Sequence, residues 1–250
     1  MGSPLISDQA GIRWITLNRP EILNALLPED LAVIAQAVRE PPESVDAIVL
    51  TGSGDRAFSS GMHKETFVDA TPATGRAIIS SVADCLAAVR QSDLPIVAMI
   101  HGYCLGAAFE MVLSCDLRVA GRTARFGLPE VKLGIPSVVD AALLRQYVGL
   151  SKAKEIILTG DTYTARDLEA FGLVNRFADQ DDLRAETVRL VDKVAPLTRE
   201  VVAAQKGLFE TWMNTGLQQS IDQSIEVFAD MFESPATLKA IARYNGNRPS

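Results

Sequence analysis

Short apolar runs, each stopped by a turn signal and followed by a helical pattern, constrain this chain most. Ile12–Leu17 alternates β-branched and aromatic residues and ends at Asn18-Arg19-Pro20. Val45–Leu50 runs into Gly52-Ser53-Gly54, and Ile96–Ile100 into His101-Gly102. Leu117–Ala120 makes a fourth such run. Between them lie helical patterns. One opens on Pro28-Glu29-Asp30, with proline and acids in the first turn, and runs to about Arg39 before Pro41-Pro42. A second covers Thr74–Arg90, and a third opens at Gly106 and reaches Ser114. Residues 55–65 read as loop. Strands separated by helices predict an α/β fold with parallel pairing.

Beyond Pro136 the pattern changes. Val138–Val148, Ser151–Leu158 and Ala165–Phe171 read as short helices, and Leu173–Phe177 as a last strand. From Leu183 onward the chain reads as helix. Leu208, Trp212, Leu217, Ile221, Ile225, Phe228 and Met231 recur at helical spacing. That stripe must be covered, either by the rest of the chain or by another subunit, and the spacing fits both. The chain divides into a core of residues 1–185 and a helical region of residues 186–250.

Composition removes other function classes. Across 250 residues, 24 Lys+Arg against 31 Asp+Glu give a net charge of −7. A general nucleic-acid binder needs a basic face, so no nucleic-acid partner is expected. The longest apolar run, Pro95–Ile100, is far short of the ~20 residues of a membrane span, so no membrane partner is expected. Cys85, Cys104 and Cys115 have no framework spacing and read as free thiols of a reducing compartment. With no leader visible in MGSPLISDQA, the expectation is cytoplasmic.

Several site readings fail on their own chemistry. Gly52-Ser53-Gly54-Asp55-Arg56-Ala57 matches a dinucleotide fingerprint, but no helix opens after it, so it reads as a glycine-rich turn. His63 and His101 are the two histidines, which leaves few bases for a nucleophile and no metal-ligand cluster. His101 reads as a structural histidine, and His63 as a pocket residue. Cys104 reads as a buried thiol. Two carboxyls stand out. Glu110 lies on an otherwise apolar helix, where an acid is costly to bury unless it is functional. Glu130 follows in the turn-rich Phe126-Gly-Leu-Pro-Glu130.

Four stretches together resemble the enoyl-CoA hydratase/isomerase (crotonase) family. They are Leu17-Asn-Arg-Pro-Glu-Ile-Leu-Asn-Ala-Leu26, Ala57-Phe-Ser-Ser-Gly-Met-His-Lys-Glu65, Ile100–Asp116 with Leu105-Gly-Ala-Ala-Phe-Glu110 inside it, and Ala124-Arg-Phe-Gly-Leu-Pro-Glu-Val-Lys-Leu-Gly-Ile-Pro136. Thr159-Gly160 and Ala170-Phe-Gly-Leu-Val-Asn175 extend the match. The resemblance implies an α/β crotonase-like spiral of β-β-α units, with a helical C-terminal trimerisation region that makes a homotrimer or a dimer of trimers. It also implies an acyl-CoA thioester substrate, with CoA as part of the substrate and no metal or other cofactor.

The resemblance further implies that Met62 and Ala107 supply the two backbone N–H groups of an oxyanion hole, and that Glu110 and Glu130 are the catalytic pair. It assigns CoA contacts to Arg19, Ala25, Phe58, Ser60, Gly61, His63, Lys64 and Gly106. Arg19, Arg56 and Lys64 are the basic candidates for its phosphates. The Gly106-Ala107 helix start agrees independently, because free N–H groups at a helix N-terminus favour an anion. Two carboxyls around one substrate can divide acid and base roles; hydratases of the family carry Glu at both positions, so the resemblance implies syn hydration of a 2-enoyl-CoA. Isomerisation, acyl-CoA hydrolysis and non-catalytic acyl-CoA binding are the alternatives. The chain departs from the family pattern at Met62 and His63. It also has Ser137-Val-Val-Asp-Ala-Ala-Leu-Leu144 where a glycine-rich stretch is common. Asp140 there reads as an extra polar pocket residue or, more simply, as a helix N-terminal acid.

Overall fold

The computed structural model describes residues 2–246. In chain order the strands are β1 (Leu5–Gln9), β2 (Ile12–Leu17), β3 (Ala47–Gly52), β4 (Ala57–Ser59), β5 (Ile96–Ile100), β6 (Tyr103–Leu105), β7 (Leu117–Gly121), β8 (Arg125–Gly127), β9 (Thr162–Thr164) and β10 (Arg176–Ala178). The helices are α1 (Pro28–Arg39), α2 (Pro72–Arg90), α3 (Ala107–Ser114), α4 (Leu144–Thr159), α5 (Ala165–Glu169), α6 (Leu183–Val194), α7 (Arg199–Asn214), α8 (Leu217–Asp230) and α9 (Pro235–Gly246).

Two sheets form. The larger has the order β1-β2-β3-β5-β7-β10, and the smaller β4-β6-β8-β9. Apart from the β1–β2 hairpin, the larger sheet is parallel throughout. Successive turns of chain place one strand in each sheet: β3 then β4, β5 then β6, β7 then β8. Helices α2 and α3 follow the first two pairs, and this generates a spiral of β-β-α units.

The apolar runs are continuous because both faces of the larger sheet are covered. Along β3, Ile48 and Leu50 enter the main core with α1, α2 and α3. Ala47 and Val49 point the other way, into a second core with Trp14, Val97, Val119 and Leu183, Leu190 and Val191 of α6. The division at residue 185 therefore falls inside α6, whose burial makes it part of the core. Helix α7 is tied down as well. Buried Lys206 donates to Val89 O, Leu94 O and the Asp116 carboxylate at 3.2, 3.4 and 2.8 Å. Arg199 donates to Pro42 O and Val45 O.

Among the described residues, nothing covers the stripe beyond. Trp212, Leu217, Ile225 and Phe228 are 48, 79, 58 and 67 % exposed. They line a groove of about 700 Å³ with Ile221, Thr215, Ser220 and Ser224. Among the described residues no helix is long and apolar enough to cross a membrane.

Three sequence expectations change. Strands β4, β6, β8 and β9 have only 3 residues each, too few to show a period of two, and β4 lies in the expected loop. The helix expected at Val138–Val148 is instead a 3-10 turn, Val139–Leu143, leading into α4. Helix α4 joins the two expected helices across Gly149, whose φ of 74° breaks the helical path. The last strand is displaced to Arg176–Ala178.

Candidate active site

The site is built where the second and third motifs meet. Strand β4 hands the chain to residues 60–63, which lie against residues 23–26. Ser60 N–H donates to Leu23 O, Leu26 N–H to Gly61 O, and His63 N–H to Leu26 O, at 2.9, 2.9 and 2.8 Å. Asn24 secures this contact from inside: its buried amide donates to Ser53 O and Ala57 O. Gly61 has φ +85°, and a Cβ there would lie 2.6 Å from Leu105 O and 3.2 Å from Ala107 N. A glycine is therefore required for Met62 to approach the start of α3. Among the described residues, Met62 N–H and Ala107 N–H have no hydrogen-bond acceptor. Ala107 is the first helical residue after Gly106, so its N–H is free by geometry.

The two carboxyls converge on this start. Glu110 is three residues along α3 from Ala107 and therefore on the same side of the helix. It is 4 % exposed. Burial, then the charges of Glu130 and Asp140, push its carboxyl up to about 9, while the backbone N–H groups of Val138 and Ala141 pull it down. Glu110 is accordingly protonated at neutral pH. Glu130 sits on the 3-10 turn Pro129–Leu133 and is half-buried. Its Oε1 lies directly over Gly106, where a Cβ would come within 2.8 Å. Its Oε2 accepts from the Ser137 hydroxyl at 2.8 Å. One protonated acid and one hydrogen-bonded carboxyl thus flank two free N–H donors.

The other expected site residues fall into two groups. Lys64 and Arg56 are exposed, Ser60 and His63 are half-buried, and Gly61 and Ala25 are buried in the clamp itself. Arg19 differs from expectation. It is 5 % exposed and ion-paired with Asp30, which also accepts Leu27 N–H at 2.8 Å. Its guanidinium fixes the start of α1 and is not presented to a phosphate. Phe58 is fully buried in the main core, so its side chain supports the loop from beneath and offers no surface to CoA. His101 is buried against the backbone of Gly54 and Ala57, and burial holds it below its ordinary value, hence neutral. Cys104 is fully buried with its thiol pushed up, an unreactive core residue. Among the described residues no cluster of His, Cys, Asp or Glu is arranged to hold a metal.

Sequence reasoning missed the roles of Ser137 and Asp140. Asp140 is 9 % exposed. It accepts from the Ser114 hydroxyl at 2.5 Å and pairs with Arg90, whose Nε lies 3.3 Å from Glu210. The available signal was the loss of glycines after Pro136.

Comparison with known proteins places the chain in a family. The family model described as enoyl-CoA hydratase/isomerase matches residues 7–250. A probable enoyl-CoA hydratase of Mycobacterium leprae is 34 % identical over 249 residues, covering 96 % of this chain and 93 % of the relative. A probable mitochondrial enoyl-CoA hydratase of Dictyostelium discoideum is 34 % identical over 226 residues, 87 % of this chain and 79 % of that one. An enoyl-CoA hydratase subunit from Geobacillus kaustophilus superposes with a TM-score of 0.91 at 30 % identity, covering 99 % of this chain and 96 % of that chain. The spiral fold and its site define a crotonase-fold protein. The chain belongs to the enoyl-CoA hydratase/isomerase family.

Proposed function

We propose that this protein is an enoyl-CoA hydratase, a hydro-lyase that adds water syn across the 2,3 double bond of an enoyl-CoA. The observation that carries this reading is the convergence of Glu110 and Glu130 on two unpaired backbone N–H groups. The relatives named enoyl-CoA hydratase support it.

The thioester carbonyl oxygen accepts from Met62 N–H and Ala107 N–H, which stabilise the charge that develops there. Each such donor contributes about 3–4 kcal/mol to an acyl transition state. Glu130, steadied by Ser137, takes a proton from water. The hydroxide adds to Cβ and the electron pair moves to the thioester oxygen. Glu110, neutral in its buried site, delivers its proton to Cα as the enolate collapses. Proton exchange from Glu130 back to Glu110 restores the starting state, and the net change is one added water. CoA enters as part of the substrate, and the reaction draws on no further cofactor. In this reading Lys64 and Arg56, both exposed, are the cations that meet its phosphates. The apolar α7–α8 stripe is the assembly surface of a homotrimer, alone or doubled. Three buried free thiols fit a reducing, cytoplasmic location.

The test is incubation with 2-enoyl-, 3-enoyl- and saturated acyl-CoAs, read by mass spectrometry. Gain of one water on 2-enoyl-CoAs is expected. A double-bond shift without mass change, release of free CoA, or binding without turnover would each replace this reading by its corresponding alternative.

A further inference from the structure

We propose that the turn Ser137–Ala141 is a clamp on both carboxyls and that its Asp140 is a positioning residue that holds Glu110 in the acid role. This rests on the hydratase reading for the roles of the carboxyls, but the contacts stand without it.

One five-residue turn reaches both acids. Its first residue, Ser137, donates to Glu130 Oε2 at 2.8 Å. The turn packs on α3, which carries Glu110, and the backbone of Val138 and Ala141 favours the ionised form of its carboxyl. Between them Val139 has φ +42°, a conformation a β-branched residue adopts only when its surroundings enforce it. The next residue, Asp140, ties the turn down. Its carboxylate is drawn inward by Ser114, one helical turn beyond Glu110, and by Arg90 at the end of α2. Ser114 in turn lies 2.9 Å from Glu110 O. A second carboxylate is thus fixed beside a buried one, and this opposes ionisation of Glu110.

The other groups around Glu110 do not substitute for Asp140. Helix α3 packs on α2, β6 and the Val139–Leu143 turn. Besides Arg90, α2 contributes Cys85, a buried thiol pushed up to about 12 and therefore neutral. Strand β6 contributes Cys104, also neutral. From α4, the Tyr147 hydroxyl donates to Leu113 O at 3.0 Å and is occupied. Glu130 and Asp140 are the charges that act on Glu110. Glu130 belongs to the reaction, which leaves Asp140 as the fixed charge.

The experiment follows the protonated carboxyl stretch of Glu110 against pH by infrared difference spectroscopy on the whole, substrate-free protein. Glu110→Gln assigns the band. Asp140→Asn keeps the shape and removes the charge, so the midpoint falls by about one unit, a tenfold change in acidity. Arg90→Gln leaves Asp140 without its counter-ion, so the midpoint rises. A purely structural role for the pair admits water in both variants and lowers both midpoints. That result, or an unmoved midpoint in either variant, overturns the proposal. If Asp140→Asn does not fold, the direction in Arg90→Gln decides alone. No substrate is present, so a protein that hydrates nothing can still pass. A failed shift likewise leaves hydration standing.

Discussion

At the scale of the residue, Glu110 sets a pH dependence whose sign is fixed by its burial. Its unfolded value is near 4.5 and its folded value is raised to about 9. Between the two, the folded state keeps a proton that the unfolded state has lost, so stability falls as pH rises through that window. Glu110→Gln cannot ionise. Its melting temperature therefore exceeds that of the native chain at about pH 8 and converges with it towards about pH 4, as scanning calorimetry can check. If Glu110 is the proposed acid, kcat is expected to decline as pH rises through about 9, as a pH–rate profile would read. The oxyanion donor is testable one turn earlier. Ala107 is the first residue of α3, where proline is tolerated. Ala107→Pro deletes the N–H while keeping the helix. We expect kcat/KM to fall by about 10²–10³-fold with little change in melting temperature.

At the scale of the element, α7 shows how far the core extends into the helical region. Lys206 is buried, with its ammonium on Asp116 and two carbonyls. Lys206→Met removes one partner of a largely buried pair and should cost about 3 kcal/mol in denaturant unfolding. A cost within a few tenths of a kcal/mol would show that α7 is not anchored there. The same contrast explains what the sequence made legible. Strand β2, helix α1, strand β5 and helix α3 stood out because each carries a full period of its pattern, bounded by Pro or Gly. The three-residue strands of the smaller sheet did not, because their pairing comes from the spiral and not from local pattern. In the site, Glu110 was legible as an acid on an apolar helix, and Gly106-Ala107 as a helix start. Met62 and Glu130 took their meaning from the family resemblance. Arg19 misled because a charged residue in a loop motif reads as exposed until its partner, Asp30, is located eleven positions on. Asp140 was legible as a pocket or first-turn acid but not by its contacts, since its partners Arg90 and Ser114 are distant in sequence.

At the scale of the whole molecule, an acidic chain leaves a row of large apolar side chains in water along α7 and α8. Exposed apolar faces of this kind mark assembly surfaces. Light scattering at micromolar concentration should find a trimer or a doubled trimer. Ile225→Asp, which places a charge within the groove, should shift it towards monomer, whereas a monomeric native chain would remove this role for the stripe. We propose that Glu110 and Glu130 together hydrate an enoyl thioester beside the Met62 and Ala107 donors. Steady-state hydration of crotonyl-CoA and longer 2-enoyl-CoAs tests it most directly, in the native chain, Glu110→Gln and Glu130→Gln. The account predicts turnover by the native chain and a loss of about 10²–10⁴-fold in kcat for each variant. Absence of hydration by the native chain at every chain length, or undiminished rates in either variant, would contradict it.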